Sequence, residues 1–214
     1  MSPELEAADK LPHTMSKQIV LASSNPGKYR EISDLLYGLD LRIVPQSELG
    51  ITDTVENGLT FVENALLKAR HAAHHSGLPV IADDSGLEVD ALNGAPGIYS
   101  SRFAGSGAND VQNLEKLLAD LADVPEFLRS ARFQCVMVYM SHEYDPTPII
   151  CEGTWEGNIL FAPRGSNGFG YDPVFYVPTH VCSSAELPAE VKNLLSHRGQ
   201  AIRKLLERLK NRKL

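Results

Sequence analysis

The chain has 214 residues, 43% of them hydrophobic, and a formal net charge of -7, enough apolar material for one substantial core, or for one domain with two lobes. An isoelectric point near 5.5 argues against a phosphate-tracking nucleic-acid binder, which needs a basic surface to displace counterions; a small anionic ligand needs only a few Lys and Arg in a cleft. Three cysteines without CxxC spacing suggest neither a disulfide framework nor a zinc site.

The opening residues hold no apolar leader core, and no segment is long enough to span a bilayer. A reduced, cytoplasmic protein with no membrane or nucleic-acid partner is expected. Residues 1 to 14 read as a disordered or extraneous polar extension ahead of a single domain over residues 15 to 214.

Ile19 to Ala22 is a short apolar strand that runs into SSNPGK, residues 23 to 28. Asn25 suits a helix N-cap and Pro26 the first helical position, while Ile32, Leu35, Leu36 and Leu39 form a helical apolar stripe. The free N–H groups of that helix start, beside Ser23, Ser24 and Lys28, suit a phosphate, although Walker spacing is absent. A second strand is expected at Leu41 to Val44. Thr60, with Glu63 three residues on, predicts a capping box and a helix through FVENALLKARHAAHH. Lys68 borders the apolar face of that helix, four residues after Asn64, and is expected to reach out to water. His71, His74 and His75 lack metal spacing and are expected at the surface.

VIADDSGLEVDAL, residues 80 to 92, reads as an apolar strand that ends at Asp83, Asp84 and Ser85 and restarts as an alternating one. Carboxylates at the end of a buried strand stand on a rigid platform, and adjacent residues of an extended chain point to opposite faces, so the two aspartates can take separate roles. NGAPGIYSSRFAG, residues 93 to 105, carries Arg102 on a loop that is either a lid or a long connection.

A helix over Ala108 to Leu121 has the stripe Val111, Leu114, Leu117, Leu118 and Leu121. A hairpin of Ala131 to Met140 with Pro148 to Trp155 then implies a mixed sheet. RGSNGFGYDPVFYVP, residues 164 to 178, sets Phe169, Tyr171 and Asp172 among glycines, which let backbone approach a ligand while the aromatics offer faces to a base. A strand expected at Val174 to Val177 discounts a Rossmann fingerprint. A last helical region starts near Pro188, is interrupted by Ser196, His197, Arg198 and Gly199, and resumes with Ile202, Leu205, Leu206 and Leu209 inward. Lys210, Arg212 and Lys213 complement its dipole.

A helix start with Lys28, acidic groups at Glu56, Asp83 and Asp84, a glycine-aromatic loop, and Lys192 with a Ser-His-Arg joint would together serve phosphates, a hard metal ion and a heteroaromatic base. That combination describes a nucleoside triphosphate and leaves open the base and the bond cut.

Five strings in order resemble the inosine triphosphate pyrophosphatase family, bacterial branch: SSNPGK (23 to 28), TFVENALLKAR (60 to 70), IADDSGLEVDALNGAPGIYSSRFAG (81 to 105), GSNGFGYDPVF (165 to 175), and AEL followed by KNLLSHRG (185 to 199). The resemblance implies an α/β fold with an elongated mixed β-sheet flanked by helices, and two lobes with a central cleft. It implies a homodimer that uses Mg2+ to hydrolyse inosine, deoxyinosine and xanthosine triphosphates (ITP, dITP, XTP) to the monophosphate and pyrophosphate, cleansing the nucleotide pool of deaminated purines.

On matching positions it makes Asp84 the proton acceptor and a metal ligand, Glu56 the second ligand, and Lys28 and Lys68 the cations that neutralise phosphate charge. Ser23, Ser24, Asn25, Pro26, Gly27 and Lys28 would hold the triphosphate. Ser85, Phe169, Gly170, Tyr171, Asp172, Lys192, His197 and Arg198 would contact the nucleotide. Donors facing the C6 keto oxygen, with Arg198 a candidate, would reject adenine at about 1 to 3 kcal/mol per unpaired group. Val191 and THVCSS (179 to 184) depart from the family pattern beside the base-binding end. Rival readings are a related pyrophosphatase acting on modified pyrimidine or other nucleotides, and a nucleotide-binding regulator without catalysis.

Overall fold

The computed structural model describes residues 17–37 and 41–211. The expected extension over residues 1 to 14, together with Leu39, Arg212 and Lys213, lies outside the described residues.

One seven-stranded sheet runs in the order β2-β1-β3-β4-β5-β6-β7, built from β1 (Lys17–Leu21), β2 (Leu41–Pro45), β3 (Val80–Val89), β4 (Ser130–Met140), β5 (Ile149–Ile159), β6 (Phe175–Val177) and β7 (Cys182–Ser183). Strand β1 is parallel to β2 and β3, and every later pair is antiparallel. Parallel neighbours need crossovers, which α1 (Pro26–Leu36) and α2 (Phe61–Ser76) supply. The hairpin of β4 and β5 is longer than its sequence suggests, and β7 adds an edge pair that the sequence does not signal.

The central stretch corrects one expectation. Strand β3 does not break at Asp83 to Ser85; it keeps register with β4 from Val80 opposite Met140 to Val89 opposite Ala131. What stops is its other edge, because β1 pairs only with Val80 and Ile81. From Ala82 to Gly86 that edge has no strand partner, while further along Glu88 bridges Pro96 and Val89 N–H donates to the Ala95 carbonyl, so the aspartates lie within a strand yet beside a gap in the sheet.

Side-chain alternation builds two layers on the first half of the sheet. On one face Ile19, Leu21, Ile81, Met137 and Cys151 pack against Ile32 and Leu36 of α1 and against Ile202, Leu205 and Leu209 of α5 (His197–Asn211). On the other, Val20, Val80, Ala82 and Val138 meet Ala65, Ala69, Ala72 and Ala73 of α2, whose small side chains let the helix lie close. Further along the same strands, Leu87, Val89, Phe133, Trp155 and Phe175 gather with Leu114 and Leu117 of α3 (Asp110–Asp120) into the core of a second lobe. Val111 departs from its predicted stripe and is 62% exposed. The inward place goes to Asn113, which accepts from the Ala104 N–H and donates to the Ser101 carbonyl.

The interruption near the C-terminus is shorter than expected. Ser196 alone separates α4 (Ala189–Leu195) from α5, which His197 already opens. Among the described residues no helix is long and apolar enough to cross a membrane.

Candidate active site

Two cavities meet between the lobes and share Asn25, Lys28, Ser85 and Ser101. The first is walled by Leu87, Phe133, Phe169, Tyr171, Lys192, His197 and Arg198, and offers aromatic and aliphatic surface with a few charged groups. The second is a polar trough of 640 Å³ lined by Ser23, Ser24, Glu56, Lys68, Asp84 and Arg102.

Asp83 and Asp84 point to opposite faces of β3, as extended backbone requires. Asp83 is 1% exposed and turns toward α1 and α5, with Oδ2 at 2.9 Å from Lys28 Nζ and 3.5 Å from Arg198 Nε. Burial pushes its carboxyl up, but Lys28 and Arg198 outweigh that and hold it well below the usual carboxylate range. Asp84 turns toward α2, where Oδ1 accepts from Lys68 Nζ at 2.8 Å and Oδ2 from Asn64 Nδ2 at 3.4 Å. There burial raises the carboxyl more than Lys68 and Lys28 lower it. Asp84 is therefore the more basic of the pair and the one suited to accept a proton, while Asp83 is a fixed counter-charge.

Lys68 does not reach out to water. Its side chain is 14% exposed and its ammonium also lies 3.1 Å from Glu56 Oε1. Burial alone would lower it, but Asp84, Asp83 and Glu56 together raise it, so it stays charged. The two carboxylates of Glu56 and Asp84 thus converge on a single cationic centre. Two convergent carboxylates with room for phosphate oxygens form a donor set that fits a hard divalent ion. Among the described residues no group of three or more His, Cys, Asp or Glu is arranged to hold a metal, so substrate and water oxygens would complete the shell.

At the start of α1, Asn25 caps as expected, and its Oδ1 accepts from the N–H groups of Gly27 at 2.8 Å and Lys28 at 3.1 Å. Those N–H groups, expected to be free, are engaged by the cap itself, so a phosphate has to compete with Asn25 for them. Pro26 opens the helix behind this wall. A side chain at Gly27 would place Cβ 2.7 Å from the Phe169 ring; the residue is glycine because the phosphate-side helix and the base-side loop touch there.

In the base-side loop, Gly165, Gly168 and Gly170 take positive φ angles. The Asp172 carboxylate accepts from Phe169 N–H at 2.9 Å, Ser184 Oγ at 2.9 Å and Lys192 Nζ at 2.6 Å, so it anchors the loop to α4. Gly170 N–H donates to Asp110 at 2.8 Å, and the Tyr171 hydroxyl donates to the Ser100 carbonyl at 2.8 Å. Arg198 donates to Ser85 Oγ at 2.9 Å and pairs with Glu31. His197 stacks on Phe133 with ring centroids 4.8 Å apart at 12°; burial, aided by Arg198 and Lys192, lowers its pKa far enough to keep the imidazole neutral near neutral pH.

Two residues of this cleft escape a sequence reading. Glu31, on α1, binds both Lys192 at 2.7 Å and Arg198, tying the first helix to the last two; its one local signal is the three-residue spacing from Lys28. Asn64, wholly buried, accepts from Gly58 N–H at 2.8 Å while it donates to Asp84, and so connects the strand carboxylate to the loop that carries Glu56.

A mixed α/β sheet with an aromatic-walled pocket that opens into a trough of lysines and carboxylates defines a protein built to handle a nucleoside triphosphate. The model of the Ham1 family matches residues 19–208, and the chain belongs to that family. It is 58% identical over 197 residues to a dITP/XTP pyrophosphatase of Vibrio cholerae, covering 92% of this chain and 98% of the relative. It is likewise 58% identical over 195 residues to one of Pectobacterium atrosepticum, with 91% and 99% covered. A solved HAM1 protein from Coxiella burnetii superposes with a TM-score of 0.84 at 51% identity, over 91% of this chain and 99% of that one. The Ham1 protein of Staphylococcus aureus gives 0.81 at 43% identity, over 92% and 100%.

Proposed function

We propose that the chain hydrolyses inosine, deoxyinosine and xanthosine triphosphates to the monophosphate and pyrophosphate, and so removes deaminated purines from the nucleotide pool. Its dITP/XTP pyrophosphatase relatives support the substrate class. The observation that carries the choice of bond is the place of Asp84, which lines the trough directly beside Ser85, one of the residues common to both cavities. With the base in the aromatic pocket, the α-phosphate falls at the shared Asn25, Lys28 and Ser85, and the outer phosphates extend into the trough.

A water bonded to Asp84 then lies next to the α-phosphorus. Asp84 accepts its proton as the new O–P bond forms and the bond from the α-phosphorus to the oxygen bridging to the β-phosphate breaks, and the pyrophosphate so released leaves through the trough. Lys28 and Lys68 take up the negative charge that grows on the phosphoryl oxygens and the leaving group. Glu56 and Asp84 are the residues to hold a divalent ion, magnesium by the hardness of the donors, which when bound supplies Lewis-acid polarisation of phosphoryl oxygens. On the base side, Phe169 offers the stacking face, and donors near Lys192 and Arg198 meet the C6 keto oxygen. We further infer a single two-lobed domain over residues 15 to 214 that acts as a cytoplasmic homodimer; sedimentation of the purified chain tests the dimer.

The test is release of pyrophosphate and orthophosphate from inosine, xanthosine, adenosine and guanosine triphosphates with magnesium at mildly alkaline pH, with Asp84→Asn alongside. Pyrophosphate from the first two substrates, reduced by about a hundredfold or more in the variant, is expected. Orthophosphate release, or equal use of adenosine triphosphate, overturns the reading.

A further inference from the structure

Three cations line the trough, and two of them already face carboxylates at hydrogen-bond distance. Lys28 lies 2.9 Å from Asp83, and Lys68 lies 2.8 Å from Asp84 and 3.1 Å from Glu56. Arg102 differs. Its nearest carboxylate oxygen, Glu56 Oε2, is 3.8 Å away, too far for a hydrogen bond. Its side chain is 35% exposed, so the guanidinium keeps its donors for a ligand.

The wall that carries it is firmly held. The 3-10 turn Gly97–Arg102 lies across β3, where Ser100 Oγ accepts from Leu87 N–H at 2.9 Å and donates to the Gly97 carbonyl at 2.6 Å. Gly86 makes this approach possible, since a Cβ there would overlap the Gly97 carbonyl oxygen. The Tyr171 hydroxyl fixes the same turn from the second lobe, and the guanidinium rests 5.2 Å from the Tyr99 ring centroid, a cation–π contact that orients it. Arg102 lines the trough and not the aromatic pocket; with Glu56 it stands on the side away from the base. A planar guanidinium with free donors matches phosphate oxygens two at a time, which an ammonium cannot do.

We propose that Arg102 grips the outer phosphates of the substrate and then the departing pyrophosphate, an extension that rests on the reading of the cleft given above. The contact acts on that half of the ligand alone. A nucleoside monophosphate, confined to the aromatic pocket and the shared residues, does not reach it.

Calorimetric titration of the full chain with pyrophosphate and, separately, with inosine monophosphate, both with magnesium, separates the two halves. In Arg102→Ala the affinity for pyrophosphate falls about tenfold while that for the monophosphate changes less than about twofold; Arg102→Lys recovers part of the loss. Equal losses for both ligands, an unchanged pyrophosphate affinity, or no pyrophosphate binding by the wild-type chain overturns the assignment. The two readings fail separately: a wild-type chain that releases no pyrophosphate from inosine triphosphate refutes the hydrolytic function. An active chain whose Arg102→Ala variant binds pyrophosphate normally refutes only the role of Arg102.

Discussion

Replacing Asp83 by Asn removes one negative charge and almost no volume from the point where cations of α1 and α5 meet. Asp83 is 1% exposed and holds Lys28 at 2.9 Å and Arg198 at 3.5 Å. Arg198 keeps its pairing with Glu31, so the charge left stranded is mainly that of Lys28. Breaking a buried ion pair by removing one partner destabilises by about 3 to 5 kcal/mol. Lys28 is 14% exposed and can swing toward the trough, which places the effect at the low end, about 3 kcal/mol. For a domain of this size, each kcal/mol lowers the melting temperature by about 2 to 4 °C, so a drop of about 6 to 12 °C is expected.

The pH dependence has a definite sign. The folded-state pKa of Asp83 lies below its unfolded value, so the stabilisation is complete above the unfolded value of about 4 and is lost as pH falls through the folded one. The gap between wild type and Asp83→Asn is therefore constant through neutral pH and narrows below about pH 4. Thermal unfolding followed by circular dichroism across that range is the assay. A neutral-pH gap under about 2 °C, or one that widens on acidification, refutes the assignment of Asp83 as the counter-charge.

Asn64→Leu strips both of its hydrogen bonds at similar size, leaving Gly58 N–H and one Asp84 oxygen unpaired; stability falls by about 1 to 3 kcal/mol. In steady-state assays kcat falls more than KM rises. Asn64→Asp restores the acceptor for Gly58 but not the donor to Asp84, so its kcat stays low if Asn64 positions the base. Val181, a β-branched residue 70% exposed at φ 55°, sits in a conformation that favours glycine. Val181→Gly raises the melting temperature by about 2 to 4 °C through relief of about 1 kcal/mol of strain, readable in the same thermal scan.

Local features of the site were legible in one dimension because their cause is local. Asn25 before Pro26 caps the helix, adjacent aspartates on a strand diverge, and apolar stripes in α1 and α5 find the sheet. Lys68 shows the limit: its border position on the α2 face fits a side chain that reaches water, and only the packing of α2 over β3 sets it between Glu56 and Asp84. The same holds for Val111, whose place in a helical stripe says nothing about whether anything lies opposite.

Sequence by itself determined the alternation of strands and helices, the acidic pair, the capped helix start, the glycine-aromatic loop and the motif order that marks the family, since each is written in residues close along the chain. Tertiary structure alone decided that β3 runs unbroken through Asp83 and Asp84 with an open edge beside them, and that Asp84 is the more basic of the two. It also decided that Glu31 and Asn64 join elements as distant as Arg198 and Asp84. Those outcomes depend on which charges and donors come within a few ångströms after folding, and electrostatic energy follows distance and burial, not separation along the chain.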